Sequence, residues 1–116
     1  MNIEERFLKY VSFDTQSDEY SDTTPSTFKQ LELGKELVKE MLEIGIDDAH
    51  LDEFGIVYGT IKGNGGTGDV IGFIAHMDTS PDASGMNIKP QKVTNYDGSI
   101  IKLNDALNLS LDPEEF

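Results

Sequence analysis

The stretch Val70-Ile71-Gly72-Phe73-Ile74-Ala75-His76-Met77-Asp78-Thr79-Ser80-Pro81-Asp82 decides how this chain is read. Its first six residues form a continuous apolar run, which predicts a strand buried on both faces. A strand of that kind belongs to an α/β fold, where ligands bind just outside the carboxyl ends of the strands. This strand ends in a histidine, with a carboxylate two residues later. Polar and charged groups at the edge of a core are destabilising unless paired. His76-x-Asp78 is therefore a candidate metal or catalytic site.

The rest of the chain supports an α/β frame. Asn2 can cap a first helix, with Glu5 three residues on in a capping-box arrangement. Ile3, Phe7, Tyr10 and Val11 then share one helical face. Asp14 to Thr24 is polar and reads as a loop. A second helix is expected from Pro25, with Thr24 as its cap, to about Ile44, ending at Gly45. Its apolar set (Phe28, Leu31, Leu33, Leu37, Val38, Met41, Leu42, Ile44) is wide enough to lie flat on a sheet. Gly34 inside it costs about 1 kcal/mol relative to alanine, which points to a close crossing there.

From His50 the period changes. Leu51 and Ile56–Ile61 read as two short strands joined through Asp52-Glu53-Phe54-Gly55, with Gly55 supplying a positive φ. Ile88–Val93 is compatible with an edge strand because Pro90 fits poorly in a central one. Ile100–Leu103 reads as a further short strand, and Asn104 to Phe116 shows no firm periodicity. The expected architecture is two helices on a mixed sheet with a buried central strand. Such a strand needs layers on both sides, which two helices and a hairpin barely provide. The order of elements matches the opening of a larger α/β domain.

Composition narrows the function. The 116 residues include 22 Asp and Glu against 9 Lys and Arg, a net charge of −13. The imbalance is greatest in residues 1–53, with 14 acidic and 5 basic side chains. Nucleic-acid affinity comes largely from Lys and Arg on phosphates, so a nucleic-acid partner is not expected. An anionic membrane surface is disfavoured on the same ground, and no run approaches the ~20 apolar residues of a membrane span. With no cysteine there is no disulfide framework and no thiolate metal site. The N-terminus lacks a signal-peptide profile, and a cytoplasmic location is expected.

Three other features invite a functional reading and have a plainer one. Gly63-Asn64-Gly65-Gly66-Thr67-Gly68 matches G-x-G-x-x-G, but the dinucleotide fingerprint must open a helix. Strand-like residues follow here, so the loop reads as a surface connection. His50 lies among Asp47, Asp48 and Asp52 and reads as a solvated surface histidine. Asp14-Thr15-Gln16-Ser17 reads as a turn with local side-chain bonds, or as a loop beside a pocket.

His76-x-Asp78 is more informative. Residues i and i+2 of a strand point to one side, ~6.6 Å apart along the strand. The carboxylate can then reach one imidazole nitrogen and leave the other for a metal, the recurrent arrangement around metal-bound histidines. A satisfied structural His–Asp pair is the alternative.

The run Ile71 to Asp82 resembles the first metal-binding motif of the peptidase T family, bacterial tripeptide aminopeptidases related to glutamate carboxypeptidase and aminoacylase. The strand followed by His-x-Asp is general to those dizinc exopeptidases, and the continuation Thr79-Ser80-Pro81-Asp82 is more particular to peptidase T. Arg6–Ser12 with Asp14–Ser17, Pro25-Ser26-Thr27, Glu40–Gly45 and Asn95-Tyr96 align in order. The resemblance implies that residues 1–116 are the N-terminal segment of a zinc-exopeptidase catalytic domain, its remainder and a lid domain lying outside. It implies His76 as a ligand of one of two zinc ions and Asp78 as the catalytic aspartate that holds the His76 imidazole. It implies tripeptide substrates, and it is compatible with a homodimer of the complete enzyme. The remaining family ligands and the general base fall beyond the matched segment. Glu114-Glu115 is in the wrong context for the family's glutamate pair.

A catalytic zinc usually has about three protein ligands, and this chain offers one convincing histidine. The isolated chain is therefore expected to lack peptidase activity. Two other readings compete: a non-catalytic acidic protein-binding module with a structural His–Asp pair, and a hard-cation site using Asp78 and Asp82. The second is sparse, since calcium takes about 6–8 oxygens.

Overall fold

A computed structural model describes residues 1–66 and 68–115. Thr67 of the glycine-rich loop and Phe116 of the tail lie outside the described residues. The elements run α1 (Ile3–Tyr10), α2 (Gln30–Glu43), β1 (His50–Leu51), β2 (Val57–Tyr58), β3 (Ile101–Asn104) and β4 (Leu109–Leu111).

The capping box that opens α1 is present in both directions. Glu5 N–H donates to Asn2 Oδ1 at 2.8 Å, and Asn2 N–H donates to Glu5 Oε2 at 2.8 Å. No residue of α1 is buried, and Ile3 and Phe7 are exposed. Long polar side chains hold this helix to α2 instead. Arg6 pairs with Glu40, Lys9 pairs with Glu36, and Tyr10 Oη donates to Glu40 Oε2 at 2.8 Å. Glu40 is buried. Burial pushes its carboxyl up, but the Tyr10 and Arg6 hydrogen bonds outweigh that and hold it below the usual carboxylate range.

α2 starts at Gln30, five residues later than expected. The Thr24–Pro25 peptide bond is cis, and the side chains that follow are committed to the preceding loop. Ser26 Oγ accepts from Asp18 N–H at 3.1 Å, and Thr27 Oγ1 donates to Gln16 O at 2.8 Å. Gln30, Leu31 and Glu32 open the helix through i→i−3 bonds of 3₁₀ type to Thr27, Phe28 and Lys29. The far end closes as expected at Gly45, with φ +93°. Gly45 N–H bonds Leu42 O and Ile46 N–H bonds Met41 O, a Schellman cap.

β1 and β2 form an antiparallel hairpin with His50 opposite Tyr58 and Leu51 opposite Val57. Gly55, at φ +81°, makes its turn. The hairpin lies against α2, and glycine makes the fit possible. A Cβ on Gly34 would stand 2.8 Å from Leu51 Cδ1, and one on Gly59 would stand 2.7 Å from Ile46 Cγ2. The close crossing at Gly34 is thus with a side chain of β1. Leu33, which lines the groove described below, is the one buried apolar side chain among the described residues.

The second half is open. β3 and β4 pair as a separate antiparallel hairpin with an irregularity between Lys102 and Asn104. β4 falls in the segment read as aperiodic, although Leu107, Leu109 and Leu111 alternate with Asn108 and Ser110. Ile88–Val93 is not a strand. The mixed sheet with a buried central strand is not formed among the described residues, whose sheets are two separate two-stranded hairpins. Residues 70–75 belong to neither, and Val70, Phe73 and Ile74 are 97%, 95% and 101% exposed. The reason is the lack of neighbours. A strand buried on both faces requires a hydrogen-bonded partner at each edge and a layer over each face, and no described residue takes those places. The radius of gyration, 17.8 Å, reflects this openness, against about 13–14 Å for a compact domain of this size. Among the described residues no helix is long and apolar enough to cross a membrane.

Candidate functional site

His76 and Asp78 follow the exposed apolar run and face each other. His76 Nδ1 lies 2.8 Å from Asp78 O and 3.1 Å from Asp78 Oδ1. Both acceptors favour the tautomer that carries its proton on Nδ1, which leaves the Nε2 lone pair free. The His76 side chain is 84% exposed and that of Asp78 42%. The pair sits on the wall of an open groove of about 670 Å³, whose apolar lining includes Phe7, Val11, Phe13, Leu33, Leu37 and Ile88. The groove lies between α1, α2 and the segment that carries the pair.

Immediately after Asp78 the chain is anchored. Thr79 forms a parallel bridge with Gln16. Thr79 N–H donates to Thr15 O at 3.0 Å, and Ser17 N–H donates to Thr79 O at 2.9 Å. The Ser17 hydroxyl donates to Thr79 O at 2.8 Å, and Gln16 Nε2 donates to Pro81 O at 3.0 Å. The loop Asp14–Ser17 thus combines both of its sequence readings. Gln16 N–H bonds Asp14 Oδ1 at 3.1 Å in a local turn, and the same loop borders the groove through buried Thr15. Local sequence held no signal for the pairing with Thr79, because its two halves are far apart in the chain.

The other candidates stay apart from this pair. His50 stacks on Tyr58 with ring centroids 5.3 Å apart, and its Nδ1 lies 2.9 Å from Asp48 O. No helix follows the glycine-rich loop among the described residues, so the dinucleotide context is missing. Glu114 and Glu115 occupy an exposed turn closed by Asp112. Asp82 is engaged locally, with Ser80 Oγ donating to its Oδ2 at 2.8 Å. Among the described residues no three His, Asp or Glu side chains gather as a metal-binding group. His76 fits a metal as a single ligand through Nε2, and nothing described here completes the set.

No family model matches the chain. Individual relatives do, along nearly its whole length. It is 55% identical over 113 residues to peptidase T of Clostridium acetobutylicum, covering 97% of this chain and 28% of that protein. It is 55% identical over 116 residues to peptidase T of Desulfitobacterium hafniense strain Y51, covering 99% and 28%. Against peptidase T of Alkaliphilus oremlandii the identity is 50% over 118 residues, covering 99% and 29%. The chain therefore spans less than a third of the length of these relatives. With half or more of its residues identical along nearly all of its length, the chain belongs to the peptidase T family.

Proposed function

We propose that residues 1–116 are the N-terminal segment of the catalytic domain of a zinc-dependent tripeptide aminopeptidase, and that they supply one corner of its active site. The observation that carries this reading is the His76–Asp78 geometry: one imidazole nitrogen is held and the other is free and exposed. The likeness to proteins named peptidase T supplies the reaction class. His76 is the metal ligand through Nε2. Asp78 is the catalytic aspartate, keeping the His76 proton on Nδ1 and the ring in one orientation. A bound zinc supplies Lewis-acid polarisation of the scissile carbonyl and activation of water. The apolar groove beside the pair offers room for an apolar part of a substrate.

In the complete domain, residues 70–75 form the central strand of a mixed sheet. The further length of the relatives provides strands at its edges and layers over its faces. The same length holds the second zinc's ligands, the general base and any homodimer surface. The location is the cytoplasm. The acidic binding-module reading rests on net charge alone and is not favoured.

Zinc titration followed through the ring-proton signals of His76 tests the ligand assignment. The wild-type signals should shift with zinc, and His76→Ala should lower the chain's zinc affinity. Equal weak binding by both proteins would remove His76 as a ligand. The purified 116-residue chain should release no amino acid from a tripeptide with zinc present, and robust zinc-dependent release would refute the one-corner reading.

A further inference from the structure

The loop Asp14–Ser17 has no role in the reading above, yet it holds the hydrogen bonds that anchor Thr79 and Pro81, immediately C-terminal to His76 and Asp78. On the N-terminal side, residues 70–75 have no strand partner among the described residues. The orientation of the pair must therefore come from Thr79 onward.

The link is a single peptide unit. The Asp78 carbonyl, which accepts from His76 Nδ1 at 2.8 Å, and the Thr79 N–H, which donates to Thr15 O at 3.0 Å, belong to one planar group. Fixing the N–H direction fixes the carbonyl direction. The loop that offers Thr15 O is itself braced from behind. Lys29 Nζ lies 2.8 Å from Asp14 Oδ1 and 3.0 Å from Asp14 Oδ2, and Asp14 Oδ1 accepts the Gln16 N–H. Thr27 Oγ1 bonds Gln16 O at 2.8 Å. Gly85 closes the other side. A Cβ there would meet Asp14 Oδ1 at 2.6 Å and Gln16 Cβ at 3.2 Å.

We propose that Asp14, braced by Lys29 and packed against Gly85, is a positioning residue that sets the Asp78–Thr79 peptide plane and thereby the tautomer and orientation of His76. This rests on the ligand reading of His76 but concerns a different residue and a different observable.

The test is the nitrogen-15 spectrum of the imidazole rings in the 116-residue chain at about pH 8, where an ordinary histidine is neutral. Wild-type His76 should carry its proton mainly on Nδ1. Asp14→Ala should lose that majority and move His76 toward the Nε2–H form. Asp14→Asn, which keeps the acceptor for Gln16 N–H, should retain most of it. Gly85→Ala displaces the same carboxylate without removing it and should give the same loss as Asp14→Ala. His50, whose Nδ1 faces Asp48 O at 2.9 Å away from this loop, is the internal reference and should not change. An unchanged His76 in Asp14→Ala or in Gly85→Ala would overturn the proposal and leave the ligand reading standing. Equal loss at His50 would also overturn it, since the effect would then be global. A wild-type His76 already protonated on Nε2 would instead remove the geometry beneath both readings.

Discussion

α2 and residues 70–75 are both rich in apolar side chains, yet the chain treats them differently. α2 has a hairpin on one face, glycines that admit it, and a buried Leu33. The run from Val70 to Ala75 is unpaired and exposed. The difference lies in what surrounds each segment. α2 satisfies its backbone internally and needs only one covered face. A strand satisfies none of its backbone alone and needs partners at both edges. The same hydrophobicity is an interior in the first case and an unfilled position in the second.

The largest effect that could break this comparison is at Leu33. Leu33→Ala should destabilise the chain by about 2 kcal/mol or more, read from urea unfolding monitored by helical circular dichroism. A negligible change would mean that the α2 face is no more an interior than the exposed run.

The next effect is a pH limit on the contact between α1 and α2. Burial, reinforced by the bond to Glu40, pushes the Tyr10 hydroxyl up from its ordinary 10.0 to about 12. A raised folded-state value means that its contribution is complete below pH 10.0 and is lost as pH rises through about 12. Glu40 is lowered, so its contribution holds above the ordinary carboxylate range and is lost as pH falls below it. Alkaline titration of tyrosinate absorbance, wild type minus Tyr10→Phe, should place the Tyr10 midpoint near 12. A midpoint at the ordinary value would show that α1 does not dock.

The smallest effect sharpens the comparison most. Ile74 is 101% exposed, so Ile74→Ser should change stability by no more than about 0.5 kcal/mol in the same urea assay. A loss as large as that of Leu33→Ala would show that the run is covered in solution.

What could be read from sequence follows the range of each interaction. The Asn2–Glu5 box, the Gly45 cap and the Gly55 turn were legible because each is settled within a few residues. The start of α2 was not, because Ser26 and Thr27 are engaged with Asp18 and Gln16. The apolar character of residues 70–75 was legible, but their burial was not, since burial belongs to the neighbours. At the site, a contact of His76 with Asp78 was expected from strand spacing; it forms although residues 70–78 lie in no strand, with the Asp78 carbonyl as the nearer acceptor. The bracing by Asp14, Lys29 and Gly85 did not, because nothing local marks Gly85 as the floor under a carboxylate.

The bridge between Gln16 and Thr79 has a consequence for the order of assembly. The Ser17–Thr79 bond and the neighbouring Gln16–Pro81 bond join residues 62 and 65 positions apart, whereas the helices and hairpins close over a few residues. Helices and hairpins form within about 0.1–10 μs. A long segment must first give up the entropy of ring closure, which grows with the logarithm of its length. Native topology of this kind is slow to reach. The His76–Asp78 corner should therefore set later than the helices and hairpins, and a protease or a chaperone would meet it open for longer than those elements.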